Sequence, residues 1–455
     1  MKNTTHPFKH QTETTKFVLA TKRCFIGSDP GTGKTRAVLD AYDRRCSYGK
    51  LLVVCPKSIM YPAWVSDVNK FTPHLDIKVA NAPDKKRKEA FKSRNIVIIN
   101  HDGIHWLIKN KALLNDFSWL VIDESTAFKN PTAKRTRSLY KLIKECNFLY
   151  RVCMSGTPTP NSVTELFSQM RIVDDGQSLG TNYYKFRSEV CTPDTTFPTF
   201  VKWVDREDAK ISVYAAIQDK FIRHTLEETI DMPEQHMYDL SIPMSSKLFH
   251  MYQDLLQESY LELKKGTITA LNAAVLGNKL LQLCSGAVYS SESKGVWAHS
   301  ERYDLIIDLI KGREHSLIAC QWRHQIEILS QMMEHAKIPF CIISADDTAE
   351  KRNTTVEQFQ AGHFQALLAH PATAAHGLTL TRARSVIWAS PTFNSEHYLQ
   401  FNRRIYRIGQ TNRTEIIHIV VEGTIEKDVY EKLNGKVERE FNLLSLFEKG
   451  LNINV

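Results

Sequence analysis

The sequence predicts an α/β fold of two parallel-sheet lobes in tandem, with helical insertions between them. Three observations predict it. Short apolar runs of four to seven residues alternate with longer amphipathic stretches. The alternation occurs twice, once before about residue 174 and again after about residue 300. Within most runs the apolar residues are consecutive, as strands covered on both faces require.

The first set of runs is 24–27, 51–55, 95–100, 119–123 and 151–155. The second is 316–321, 340–345, 365–370, 385–390 and 415–421. Between the sets the chain reads as more helical, and 248–265 (LFHMYQDLLQESYLELKK) is a clear helical stretch. We therefore expect lobe one over 1–235, with an insertion near 174–220, and lobe two over 236–455, with a helical protrusion near 245–300. No sequence repeat accompanies the doubled pattern. The basic run 83–94 (PDKKRKEAFKSR) reads as a solvated helix face, with a DNA-tracking or nuclear-import role as the lesser alternative.

Composition narrows the class. The chain has 455 residues, of which 42% are hydrophobic and 24% charged, so it is an ordinary globular protein. A net charge of +9 permits a nucleic-acid partner without demanding one. No apolar run reaches the roughly 18 residues of a membrane span, so no membrane partner is expected. The start is polar and lacks a signal-peptide core. Nine cysteines form no C-x-x-C pair, which points to reduced core residues in a cytoplasmic compartment and away from disulfides or zinc.

Two motifs carry chemistry. SDPGTGKT (28–35) follows a strand-like run and precedes a helical one, the setting a P-loop requires. Asp29, Gly31, Thr32 and Gly33 would curl so that amide N–H groups line a concavity, beside a positive helix N-terminus. Lys34 would reach the β- and γ-phosphates of ATP, and Thr35 would place a hydroxyl on Mg²⁺. Ser28 stands where the strict pattern has glycine, beside Gly27. The second motif is WLVIDES (119–125), a strand ending in two carboxylates. Adjacent carboxylates at a strand end are often only a loop start. With a P-loop upstream in the same sheet, Asp123 reads instead as a Mg²⁺ ligand and Glu124 as the base that activates water.

The ordered motifs resemble helicase superfamily two, and within it the Swi/Snf-like DNA translocases. FKHQ (8–11) resembles the adenine-reading Q motif, DPGTGKT motif one, VVCPKSIMYPAW (53–64) motif Ia and DESTAFKN (123–130) motif two. SGTPTPNSVTELF (155–167) resembles the family's SGTP run, and FIRHTLEETIDMPEQ (221–235) the segment that leaves lobe one. LIACQW (317–322), HGLTLTRARSVIWASPTFN (376–394) and QFNRRIYRIGQ (400–410) resemble motifs four, five and six. The resemblance spans nearly the whole chain.

The resemblance implies two RecA-like lobes that share one ATP site. Gln11, Lys34, Thr35, Asp123 and Glu124 would come from the first lobe; Gln400 and the arginine fingers Arg404 and Arg407 from the second. It implies phosphate contacts to double-stranded DNA through Lys57, Ser58, Asn100, His101, Ser155, Gly156, Thr157, Gly377, Thr379 and Thr381, without base reading. Trp64 and Phe71 read as core. Departures from the family pattern are Thr126 for a motif-two histidine, Ala374 and Ala375 for paired glycines, Ser390 for an aspartate, and Phe393-Asn394-Ser395 for Trp-Asn-Pro. They spare the phosphate chemistry and bear on lobe coupling. The function expected is an ATP-driven, monomeric translocase on double-stranded DNA. A strand-separating DNA or RNA helicase and a nucleotide-gated scaffold with little turnover are the alternatives. The motifs nearly fill the 455 residues, so a bare motor working in a bacterial or viral-host cytoplasm is expected.

Overall fold

The structure is a computed structural model that describes residues 6–194, 201–229, 232–264, 270–289, 294–296, 300–374 and 378–435. Gly377 and Ala375 lie outside these residues. The chain divides into two compact units, Met1–Met232 and Pro233–Val455.

Unit one is built on a seven-stranded parallel sheet. Its strands are β1 (Arg23–Ile26), β2 (Lys50–Cys55), β3 (Ile77–Val79), β4 (Ile96–Asn100), β5 (Phe117–Asp123) and β6 (Tyr150–Met154). An antiparallel ribbon follows, β7 (Cys191–Asp194) with β8 (Lys202–Asp205), and then β9 (Phe221–Ile222) returns to the sheet. The order is β3-β4-β2-β5-β6-β1-β9. Successive residues along β2 show why the runs are wholly apolar. Leu52 and Val54 enter one buried cluster, while Leu51, Val53 and Cys55 enter another on the opposite face. Both faces are covered, so polar residues gather at the strand ends. The C-terminal ends of β1, β5 and β6 lie side by side, the edge at which open parallel sheets place their ligands.

Unit two repeats the plan with β10 (Gln235–Ile242), β13 (Ser316–Ala319), β14 (Phe340–Ile343), β15 (Ala366–Ala369), β16 (Ser385–Trp388) and β17 (Thr414–Val421) in the order β10-β17-β16-β13-β15-β14, all parallel. A small ribbon of β11 (Ala287–Tyr289) and β12 (Lys294–Val296) follows the helices Ser246–Lys264 and Ala270–Cys284.

The helical insertion expected near 174–220 holds helices Tyr183–Val190 and Ala209–Ile217 and also the β7–β8 ribbon, where Pro193 is incompatible with a helix interior. All nine cysteines are free thiols, and no described helix is long and apolar enough to cross a membrane.

Among the described residues of unit two, one ion pair is fully buried on both sides. Arg302 and Glu426 meet at 2.6 Å with both side chains fully buried, and Glu426 also accepts the Val421 N–H at 2.8 Å. Stripping one partner from such a pair strands a charge and costs about 3–5 kcal/mol. Glu426→Leu should therefore lower the urea midpoint of the full chain sharply; an unchanged midpoint would show the pair to be dispensable.

Candidate active site

The P-loop joins β1 to the helix α2 (Lys34–Asp43). Gly31 and Gly33 adopt φ of +89° and +81°, the left-handed region that glycine enters without strain. Gly33 has a second constraint: a Cβ there would lie 2.3 Å from Gln11 Nε2. Gln11 sits on α1 (Lys9–Thr21). Its amide donates to the Thr32 carbonyl at 3.1 Å and accepts the Phe8 N–H at 3.1 Å. His10 Nε2 reaches the same Thr32 carbonyl at 2.7 Å. The Lys34 ammonium spans the loop to the Ser28 and Asp29 carbonyls, at 2.7 and 3.1 Å.

The departure at Ser28 has a structural partner. Ser28 Oγ accepts the His224 N–H at 3.1 Å, and the Asp29 N–H donates to the His224 carbonyl at 3.0 Å. Gly27 fits because the Phe221 ring occupies the space a Cβ would need, 2.2 Å away. The segment that follows β9 thus clasps the loop.

The carboxylates stand at the tip of β5. Asp123 is buried; Oδ2 accepts the Trp64 indole N–H at 2.9 Å and Oδ1 the Glu124 N–H at 3.0 Å. Burial pushes the Asp123 carboxyl above the usual carboxylate range, while the Trp64 hydrogen bond and the Lys34 charge pull it back. Such a carboxylate is receptive to a cation. Glu124 has φ +51°, a left-handed conformation that side-chain-bearing residues seldom adopt.

His101 explains how that turn is held. Its Nε2 lies 2.9 Å from the Asp123 carbonyl, and its ring packs edge-on against Phe128. Burial pushes the imidazole down to about 4, so at neutral pH it is an uncharged donor. Asn100 and His101 are both buried, so a phosphate contact at this turn would fall to its backbone groups. His101→Phe keeps the ring packing and removes the donor. We expect kcat to fall about 10- to 100-fold with KM for ATP little changed; a normal kcat would sever His101 from the geometry of Glu124.

The loop after β6 packs on the P-loop. A Cβ on Gly156 would fall 2.5 Å from Pro30 Cδ. Ser155 is buried and its Oγ accepts the Thr157 N–H at 3.2 Å. Gln169 links this loop to the β5 tip: its Oε1 accepts Ser125 Oγ–H at 2.7 Å and its Nε2 donates to the Pro158 carbonyl at 2.8 Å. Thr35 lies in the first turn of α2, Lys57 is exposed after β2, and Ser58 is half-buried beside it.

In unit two, Arg404 Nη1 and Arg407 Nη1 both donate to the Leu378 carbonyl, at 3.1 and 3.0 Å. Arg404 also donates through Nε to the Gln400 carbonyl and is 7% exposed, whereas Arg407 is half-buried. Gln400 is buried, with its amide on Glu396. Gln410 Nε2 reaches the carbonyls of Thr381, Ala383 and Ile405, stitching the Thr379–Thr381 loop to the arginine segment. Thr379 is exposed and Thr381 half-buried.

The SNF2-related domain profile matches residues 10–285, more than half of the chain. The chain belongs to the SNF2-related family. The helicase conserved C-terminal domain matches residues 301–409. The SNF2-related chain is 26% identical over 462 residues to protein p41 of Acyrthosiphon pisum secondary endosymbiont phage 1, covering 95% of this chain and 96% of that one. It is 25% identical to an uncharacterized ATP-dependent helicase of Mycoplasma genitalium, covering 94% of this chain and 41% of that protein. With mouse chromodomain-helicase-DNA-binding protein 1-like the identity is 23%, over 91% of this chain and 47% of that protein. It thus spans less than half of the latter two relatives. A solved structure, the Sulfolobus solfataricus SWI2/SNF2 ATPase core in complex with dsDNA, is 19% identical with a TM-score of 0.45, covering 98% of this chain and 93% of that one.

As an SNF2-related protein, the chain is an ATPase of the helicase-like motor class. Three residues to which the sequence alone assigns no role, His10, Gln169 and His224, complete the geometry of unit one together with Trp64, which the sequence reads as core. Trp64 is core, and its indole N–H also holds Asp123.

Proposed function

We propose that the SNF2-related chain hydrolyses ATP to track double-stranded DNA through phosphate contacts, largely without reading sequence. The observation that carries this reading is the linkage from the Asp123–Glu124 tip through Ser125 and Gln169 to the loop after β6. It ties the carboxylates to Ser155 and Thr157, which the resemblance assigns to DNA coupling.

In this reading Gly31, Thr32, Gly33 and Lys34 bind the phosphates, Asp29 braces the loop, and Gln11 fixes it against α1. Glu124 takes a proton from the attacking water. Thr35 and Asp123 would hold Mg²⁺, which supplies charge neutralisation on phosphate oxygens. One buried carboxylate and one hydroxyl form the sparse oxygen set usual for Mg²⁺ bound together with phosphates, and no cluster of three or more metal-ligating side chains exists among the described residues. Arg404 and Arg407 are assigned to phosphoryl charge by motif order, with Gln400 beside them. Lys57 and Thr379, both exposed, suit phosphate contacts; Ser58 and Thr381 flank them, and Gly156 lies in the loop after β6.

Steady-state ATPase rates with no polymer, duplex DNA, single-stranded DNA and RNA test the proposal. Duplex DNA should stimulate most, and stimulation should fall steeply with salt. Stimulation by RNA alone would replace the reading with an RNA helicase, and no stimulation with a nucleotide-gated scaffold.

A further inference from the structure

The far end of unit one's sheet holds a second concentration of positive charge. A cavity of about 780 Å³ opens where β1 and β6 begin, at the opposite end of β1 from the P-loop. That volume is in the range of small-ligand pockets. Five cations and two carboxylates line it.

Arg23 on β1 and Arg151 on β6 are register partners on adjacent parallel strands. Like charges so placed repel. One carboxylate stands between them: Asp175 meets Arg151 at 2.7 and 2.6 Å and Arg23 at 3.2 Å. Asp175 adopts φ +59°, a left-handed conformation at the end of helix Leu166–Asp174. Arg171, from that helix, lines the same cavity and lies over the Tyr140 ring at 4.6 Å. Asp175 is thus shared between two guanidiniums, and the Arg151 hydrogen bond first, then the Arg151, Arg23 and more distant Arg171 charges, hold its carboxyl low. Burial and then the Arg151 charge depress Arg23, while Asp175 and Asp174 oppose them.

Lys141 and Lys144 stand on the wall formed by helix Lys134–Glu145. Lysines near a helix C-terminus have a local reason to be there. The paired arginines on the strands do not. Arg151 is 5% exposed, so the charge sits within the cavity wall and not at the tip of a solvated side chain. A guanidinium carries five N–H donors. Arg23 is bonded once, to Asp175, and Arg171 once, to the Thr181 carbonyl, which leaves donors for a ligand.

We infer that this cavity binds a phosphate group through Arg23, Arg171 and Lys144, with the Arg151–Asp175 pair as its fixed floor. A phosphate's charge and acceptor oxygens match forked guanidinium donors. The group could arrive on a small phosphorylated ligand or as part of a nucleic-acid backbone. Either way it would act at the root of β1 and β6, whose other ends carry the P-loop and the Ser155–Thr157 loop.

The test uses the full chain carrying Lys34→Ala, which disables the P-loop, and follows its thermal midpoint. Sodium pyrophosphate, compared with sodium chloride at equal ionic strength, should raise the midpoint. Adding Arg23→Gln and Lys144→Gln should weaken pyrophosphate binding about 10-fold or more, since charge-assisted hydrogen bonds are removed. A short DNA duplex forms the second arm, scored only by the difference between the proteins with and without the two substitutions. A pyrophosphate effect that disappears with the substitutions supports a small-ligand source; a duplex difference alone supports a backbone source. A pyrophosphate effect that survives both substitutions, or no effect in either arm, overturns the inference. If the substituted chain melts lower without ligand, Lys141→Gln with Lys144→Gln, two exposed positions, replaces it and is read in the same way.

Discussion

Glu124→Gln should bind ATP with near-normal affinity and turn it over at least about 100-fold more slowly. General-base contributions are typically 10²–10⁴-fold. The amide is isosteric, so the left-handed turn at φ +51° and the Asp123 carbonyl bond to His101 should persist. Loss of hydrolysis with retained binding is then a loss of proton acceptance and not of architecture. The measurement is single-turnover hydrolysis beside equilibrium binding of a fluorescent ATP analogue. Hydrolysis at the wild-type rate would remove Glu124 from the role of base. Weak binding with a slow rate would instead make it part of the phosphate cradle.

Arg407→Ala should lower kcat about 10³-fold or more while ATP affinity changes less, the pattern of a residue whose charge acts in the transition state. Arg404→Ala should differ. Arg404 is buried, and its guanidinium joins the Gln400 and Leu378 carbonyls, so its loss removes internal hydrogen bonds as well as charge. We expect a lower melting temperature for Arg404→Ala than for Arg407→Ala. A selective loss of ATP binding in Arg407→Ala, with kcat preserved, would make that arginine a structural residue.

Most of the strands that proved legible are buried on both faces; β14, an edge strand of alternating burial, was legible from its run of apolar residues. β2, β4, β5, β6, β13, β15 and β16 are apolar on consecutive residues, because neighbours on both sides exclude water. The strands not read beforehand lie at edges. β3 has three residues, β9 two, and β10 is exposed or half-buried at all positions but its last, so none carries a continuous apolar signal. In the candidate site, the glycines, Lys34 and the two carboxylates are visible because their chemistry demands fixed spacing along the chain. Trp64, His101, Gln169 and His224 act through contacts with residues 59, 22, 44 and 196 positions away. Spacing along the sequence holds no record of such meetings. His101 shows the limit well: its motif position gives no hint that the ring turns inward onto the Asp123 carbonyl.

The clasp on the P-loop has a consequence for synthesis. Ser28 receives its hydrogen bond from a residue 196 positions later, and β9 completes the pairing of β1 on that side. A chain emerging from the ribosome presents SDPGTGKT long before the segment that fixes it is made. The loop can take its final form only when residues 221–226 arrive, with nearly the whole first unit already translated. Closing so long a loop is a late and slow event. The nascent first unit therefore passes most of its synthesis with an unfinished phosphate cradle, and nucleotide can help folding only at the end.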